Sequence, residues 1–410
     1  MIDEREQKKV QRFIKALNTQ KKIVITKQIE MLNYTRQTFY KKFENLIEQK
    51  VISNFTINID PNIRPNNLKY VMIEIKTNPK EPKLVEELLN IPQLRMLDGI
   101  FGEFSLFALF VFKSPQEYYQ ILNSIDKIMA KSYFKKYQII ETIKVFKTNG
   151  ISLRNLKISF DIGRKINLKE ISKISANIEY NPQKFPGLVL KIEDPRATIL
   201  IFSTGKIVIT NFSKDVESGQ EVDKIIEEIR KIGIELDMKK INQNLDIDEL
   251  DYLILRILQE NQGLRPISTY EIKDLLNEKY SMNLKALNKD DISQSTIHNR
   301  IKRLERQGVI LNYTINFHPK KIGFKGKYFL RIKPQNLSHY DELALKLEKL
   351  PQITDLFRIG EQYGLFAIVR VKNIEDYAQF MRDLYEEEIE DTYSNFVLDE
   401  LIPYTNFTLF

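Results

Sequence analysis

The feature that most limits the fold is an internal repeat. The stretch YTRQTFYKKFENLIEQKVI, residues 34–52, reads against SQSTIHNRIKRLERQGVI, residues 293–310, with Lys50 standing where the second copy has Gly308. Each stretch follows shorter amphipathic runs and precedes the same order of strands and helices, so one plan is written twice. Near the N-terminal end, residues 4–18 put Val10, Phe13, Ile14 and Leu17 on one stripe, the spacing of a helix with one buried face. A second helix is expected from Thr26, as its N-cap, through Ile29 and Leu32. A third is expected from Thr35 to about Gln49, with Phe39, Phe43 and Leu46 turned inward. On its outer face lie Arg36, Gln37, Tyr40 and Lys41, donors suited to phosphates and base edges. Near the C-terminal end the helices are expected at Asp246–Gln259, Thr269–Asn277 and Ser293–Gln307, the last closed by Gly308. A longer connection, Glu278–Asp291, separates the second and third of these.

Beyond each set of helices the periodicity changes. Tyr70–Ile75, Leu94–Ile100, Phe104–Phe112 and Tyr133–Phe146 read as strands, with helices at Pro82–Leu89 and Pro115–Met129. Tyr328–Ile332, Ile353–Ile359, Leu365–Val371 and Thr392–Thr405 repeat the pattern around helices His339–Lys349 and Glu375–Glu388. The order β-α-β-β-α-β is the ferredoxin-like unit, an antiparallel sheet with two helices on one face. Its other face needs a partner, which favours dimerisation through the sheet. That partner can be the other unit of the same chain or a second chain, and the sequence does not choose.

Residues 154–237 belong to neither copy. They read as a strand (Leu156–Asp161), a helix (Asn167–Ile174), strands at Gly187–Ile192, Ala197–Phe202 and Lys206–Thr210, and a closing helix (Gln220–Ile232). Phe185 opens the first of the three strands and Phe202 ends the second, so both rings can project from an edge.

Residues 246–410, with SQSTIHNRIKRLERQGVI followed by NYTINFHPKKIG, resemble the Lrp/AsnC transcription regulators; residues 1–147 resemble them more loosely. In that family a helix-turn-helix precedes a ferredoxin-like effector and oligomerisation domain. The resemblance implies that Thr35–Gln49 and Ser293–Gln307 are recognition helices, their N-terminal residues nearest the bases of a major groove. It points to Thr35, Arg36, Gln37, Tyr40, Lys41 and Lys42 in the first helix. In the second it points to Ser293, Gln294, Ser295, His298 and Asn299 toward base edges, and to Arg300, Lys302, Arg303 and Arg306 toward phosphates. At its effector cleft the family carries a G-D-[YF]-D-like turn. This chain has Gly102-Glu103-Phe104-Ser105 and Gly360-Glu361-Gln362-Tyr363-Gly364, and the missing second Asp counts against an amino-acid effector.

The stretch NIEYNPQKFPGLVLKIEDPRATILIFSTGKIVIT, residues 177–210, resembles one repeat of the TATA-box-binding protein. That family has two repeats in tandem, forming a saddle, so a single repeat implies half of one. The resemblance assigns Phe185 and Phe202 to the wedge pair with which the family unstacks base steps in the minor groove. It assigns Asn155 and Thr210 to central minor-groove contacts, Leu200 and Val208 to the apolar floor with Val189 in the same half-saddle, and Lys191, Arg196 and Lys206 to flanking phosphates. Lys157 replaces a usual floor residue. Asn181 and Gln183 occupy a loop where the family often has acidic contacts to transcription factor B.

The expected fold is therefore α+β: two winged or helix-turn-helix plus ferredoxin-like (βαββαβ) units flanking one half-saddle. The expected domains are 1–60, 66–150, 152–238, 245–320 and 325–410. The expected partner is double-stranded DNA, with a homodimer or higher oligomer completing the saddle. Basal transcription factors bound through the half-saddle, or a small-molecule effector, are the alternatives.

The remaining composition narrows the chemistry. A net charge of +8 permits a polyanionic partner, and residues 1–60 carry twelve Lys or Arg against seven Asp or Glu. Cysteine is absent, and His298, His318 and His339 lie on three different elements, so no metal site, cofactor or catalytic constellation is expected. Gly205–Lys206 lacks the GxxxxGK[ST] pattern of a phosphate loop. The acidic run from Glu386 to Asp391 reads as solvated surface. With a charged start and no apolar run near the ~18 residues of a membrane span, the expectation is a cytoplasmic protein.

Overall fold

The computed structural model describes residues 4–19, 22–63, 67–78, 81–153, 156–193, 196–212, 219–236, 246–261, 263, 265–287, 292–336, 339–387 and 389–409. The chain opens with α1 (Glu4–Ala16), α2 (Ile25–Leu32) and α3 (Arg36–Glu48), then a strand, β1 (Ile52–Ile59). Thr35 caps α3, its hydroxyl accepting from the Thr38 amide at 3.1 Å. Thr26 does not cap α2: the helix begins at Ile25 after Val24, which offers no side-chain acceptor, and Thr26 falls within the first turn. Next come β2 (Lys69–Ile75), α4 (Pro82–Leu89), β3 (Leu94–Ile100), β4 (Leu106–Phe112), α5 (Pro115–Ala130), β5 (Tyr137–Thr148) and a short β6 (Ile151–Ser152).

The middle segment holds β7 (Leu156–Asp161), α6 (Leu168–Ile171), β8 (Ile178–Glu179), β9 (Gly187–Glu193), β10 (Arg196–Phe202), β11 (Lys206–Phe212) and α7 (Gly219–Lys231). The last part holds α8 (Glu249–Gln259), α9 (Thr269–Lys279), α10 (Ser281–Ala286), α11 (Gln294–Arg306), β12 (Ile310–Phe317), β13 (Gly326–Pro334), α12 (Tyr340–Leu347), β14 (Ile353–Ile359), β15 (Leu365–Val371), α13 (Ile374–Leu384) and β16 (Ile389–Glu400). The longer connection after residue 278 thus carries a helix of its own, α10, anchored by buried Leu284.

The sequence reading passed over β1. Phe55, Thr56, Ile57 and Asn58 are all buried, so the strand lacks the alternation that marks one wet face. It pairs antiparallel with β12 in a two-stranded sheet of their own. Around that sheet the helices of both ends share one core, in which Phe13, Phe39, Phe43 and Phe55 join Leu250, Ile254, Ile297, Leu304 and Phe317.

The two β-α-β-β-α-β units meet in the same intramolecular way. Their strands run β14–β15–β13–β16–β3–β4–β2–β5, and β5 pairs back onto β14, closing the ring. Helices α4 and α5 cover the outer face of one unit, α12 and α13 that of the other. The inner faces join in a core that includes Met72, Phe107, Phe329, Phe357 and Phe366, with the Phe107 and Phe329 ring centroids 4.1 Å apart. The second face of each unit is therefore buried by its sister within one chain, and no second chain is needed to cover it.

The middle sheet runs β7–β11–β10–β9–β8. Leu188, Leu190, Ile199, Ile201, Ile207 and Ile209 pack on Ile225, Ile226 and Ile229 of α7. The residues that alternate with them turn to the other side.

Candidate nucleic-acid interface

That other side of the middle sheet gathers most of the half-saddle residues named from sequence. Leu200 pairs directly with Val189 on one side and with Val208 on the other, making an apolar stripe across three strands. All three are half-buried and stand outside the helix-covered core. Thr198 pairs with Lys191 and with Thr210, and Arg196 pairs with Glu193. Lys206 is exposed at the head of β11, and exposed Lys191 bonds Glu179 at 2.7 Å, a surface pair worth about 0–1 kcal/mol that a phosphate can displace. Asn155 lies outside the described residues.

Phe185 and Phe202 stand together at one end of this stripe. Their ring centroids are 5.7 Å apart at 61°, an edge-to-face contact. Neither ring belongs to the sheet's core. The pair depends on Gly187, which faces Phe202 across the ladder. A Cβ on Gly187 would fall 2.7 Å from the Phe185 ring and 3.2 Å from the Phe202 ring. Gly187 was not singled out from sequence, although a glycine opening a strand beside an aromatic is the available signal.

The helical side chains divide into those that face solvent and those drawn onto a neighbouring helix. On α3, Thr35, Arg36, Gln37 and Lys41 are exposed, Arg36 lies over the Tyr40 ring at 6.0 Å, and Lys42 is drawn to Glu6 of α1 at 2.8 Å. On α11, the Ser293 hydroxyl caps the helix, and Ser295, His298, Asn299, Lys302 and Arg306 are exposed. Gln294 donates to the Thr269 hydroxyl at 2.7 Å, which ties it to α9.

Arg300 and Arg303 are engaged elsewhere than the sequence reading placed them. Arg300 bonds Asp248 at 2.6 Å and Asp251 at 2.9 Å, and Arg303 bonds the other Asp251 oxygen. Asp251 is fully buried. Burial works against the Arg300 charge, but Asp248 and Asp251 overcome it and hold the guanidinium more firmly protonated. These arginines fasten α11 to α8. Sequence reasoning missed Asp251, whose signal is the capping box it forms with Asp248.

The two glycine turns come together as well. Glu103, Phe104, Glu361, Gln362 and Tyr363 line one cleft of about 520 Å³ with Glu74, Arg331, Tyr393 and Asn395. At its floor, buried Arg331 bonds Glu74 at 2.9 Å, Glu361 at 3.1 Å and Asn395 at 3.3 Å. Burial pushes the Glu74 carboxyl up, against the pull of Arg331.

No group of His, Asp or Glu suited to a metal ion occurs among the described residues, and no helix there is long and apolar enough to cross a membrane.

Comparison with known proteins matches residues 150–232 to the family model "Transcription factor TFIID (or TATA-binding protein, TBP)" and residues 327–407 to "Lrp/AsnC ligand binding domain". The TATA-box-binding protein of Thermococcus kodakarensis is 33% identical over 129 residues, which are 31% of this chain and 67% of that protein. That of Pyrococcus abyssi is 34% identical over 113 residues, 28% of this chain and 58% of that protein. The chain thus spans about two thirds or less of these relatives' length. Among solved structures, the siroheme decarboxylase NirDL aligns over 96% of this chain and 91% of its own at 10% identity and a TM-score of 0.45, too loose a likeness to speak to function.

Proposed function

The chain belongs, through its middle segment, to the TATA-box-binding protein family, and from that premise we propose that it is a DNA-binding transcription regulator. Its α2–α3 and α9–α11 segments act as helix-turn-helix units that enter major grooves, and its half-saddle contacts a minor groove when two chains bring two such sheets together. The observation that carries this reading is the open face of the middle sheet. An apolar stripe of Val189, Leu200 and Val208 ends in a ring pair that the core does not use, next to exposed Lys191 and Lys206.

Two measurements test it. Phe185→Ala with Phe202→Ala is expected to abolish DNA bending in a circular-permutation assay; bending that survives would point instead to an adaptor that meets basal transcription factors through this face. Lys302→Ala with Arg306→Ala is expected to weaken duplex binding and flatten its salt dependence by a log–log slope of about two. Unchanged affinity and slope would sink the DNA reading for the helices.

The cleft around Arg331 favours a second reading, in which a small molecule bound between the β units modulates the same regulator. Calorimetry against the twenty amino acids tests the effector class, and silence throughout would remove it.

A further inference from the structure

The β1–β12 ladder is paired about its own centre. Thr314 stands 258 residues after Thr56, and the two face each other. Under the same offset Phe55 corresponds to Tyr313 and Ile57 to Ile315, and the observed pairs are Phe55 with Ile315 and Ile57 with Tyr313. The outer pairs, Ile52 with Phe317 and Ile59 with Ile310, are related in the same way. An intramolecular two-fold axis therefore passes between Thr56 and Thr314, the geometry of an isologous dimer written into one chain. The offset also carries Arg36–Glu48 of α3 onto Gln294–Arg306 of α11, and Lys50 onto Gly308, both of which have positive φ, 55° and 69°. One shared core holds both helices around that axis.

The inward faces of the two helices agree and the outward faces do not. Phe39, Phe43 and Leu46 correspond to Ile297, Ile301 and Leu304, all buried. Outward, Gln37 corresponds to Ser295 and Lys41 to Asn299, half-buried Tyr40, which rests on the core, corresponds to exposed His298, and Glu44 and Glu48 stand where α11 has Lys302 and Arg306. A symmetric dimer presents one reader twice and so selects a palindrome. This chain presents two different readers about the same axis, and at the two corresponding outer positions the first has carboxylates (Glu44, Glu48) where the second has cations (Lys302, Arg306).

We propose that a single chain reads a non-palindromic duplex made of two unlike half-sites, with the half under α11 gripped more firmly at its phosphates. The inference rests on the DNA-binding reading above. The test is selection of duplexes from a random pool with the full chain, followed by footprinting. The expected motif has two dissimilar halves in inverted arrangement. In a second chain, Arg36→Gln, Gln37→Ser, Tyr40→His, Lys41→Asn, Glu44→Lys and Glu48→Arg give α3 the outward face of α11, and the recovered motif is expected to become an inverted repeat. In a third, Lys302→Glu with Arg306→Glu is expected to lose protection over one half only, with affinity down at least about tenfold. A palindrome selected by the unaltered chain, or binding without sequence preference, overturns the inference and leaves DNA binding standing. No binding to any duplex overturns both.

Discussion

The two helical ends of this chain share a backbone plan and differ in how the third helix is fastened. In the first end, Lys42 reaches Glu6 of α1 in a pair that is partly exposed on both sides. In the second, Arg300 and Arg303 converge on Asp251, which is fully buried and locked by a capping box. A lysine pair near solvent is screened and exchangeable, whereas two guanidinium groups on one buried carboxylate lose their partner together. The same position in the repeat, Lys42 or Arg300, thus holds a partly exposed pair in one copy and a buried carboxylate in the other.

The largest effect expected from this contrast is at Asp251. Asp251→Ala should cost about 3 kcal/mol in chemical denaturation, because it removes the buried carboxylate on which Arg300 and Arg303 converge and leaves Arg300 only the half-exposed Asp248. Glu6→Ala should cost below about 1 kcal/mol. Equal losses at the two ends would break the comparison.

A second test lies where the β units join, at two seams of unequal chemistry. At the β3–β16 seam, Glu400 bonds buried Arg370 at 2.6 Å and approaches Lys327 at 3.5 Å, and Lys327 also bonds Asp98. Burial pushes Glu400 up, but Arg370 and Lys327 overcome it and hold the carboxyl down to about 2. Because this value lies below that of the unfolded chain, the stabilisation is complete above about pH 4.5 and is lost as pH falls toward 2. It amounts to on the order of 3 kcal/mol. Asp98, pushed up by burial against the attraction of Lys327, works in the opposite direction. The measurement is therefore denaturation from pH 6 to 2 in the unaltered chain and in Glu400→Gln. An identical pH dependence in both would show that Glu400 does not anchor the seam. At the β5–β14 seam the sign reverses: burial lowers Lys147 to about 8, with Asp355 and Glu348 opposing. Its penalty is full below that pH and relieved as pH rises toward 10.

The smallest effect is at the end of the third helix. Lys50 holds φ 55° where its counterpart Gly308 holds 69°, and a side chain in that region costs about 1 kcal/mol. Lys50→Gly should raise stability by about 0.5–1 kcal/mol, read as a higher unfolding midpoint; a lower midpoint would mean the lysine side chain contributes more than its backbone costs.

The helices and most strands of the two β units were legible because their signals are local. Val10, Phe13, Ile14 and Leu17 fix a buried stripe whatever they pack on, and Leu94–Ile100, Ile353–Ile359 and Leu365–Val371 appear as strands within the bounds their composition predicts. Leu200 and Phe202 share a face by strand alternation, a property of neighbouring residues, whereas Val208 and Phe185 joined them in the reading only through the resemblance to a TATA-box-binding-protein repeat. The roles of Arg300 and Arg303 were not legible. A basic residue on an outer helix face reads the same whether it meets phosphate or a carboxylate 50 residues away in the chain.

By itself the sequence determined the order of elements, the duplication, and which residues share a helix stripe or a sheet face. The tertiary structure alone decided that β1 and β12 pair about an axis between Thr56 and Thr314, that the two β units close into one ring, and that Gly187 makes room for two rings. The reason is physical. Periodicity is imposed by the backbone over a few residues, whereas a strand edge offers the same donors and acceptors to every partner, so the choice among partners falls to the packing of side chains far apart in the chain.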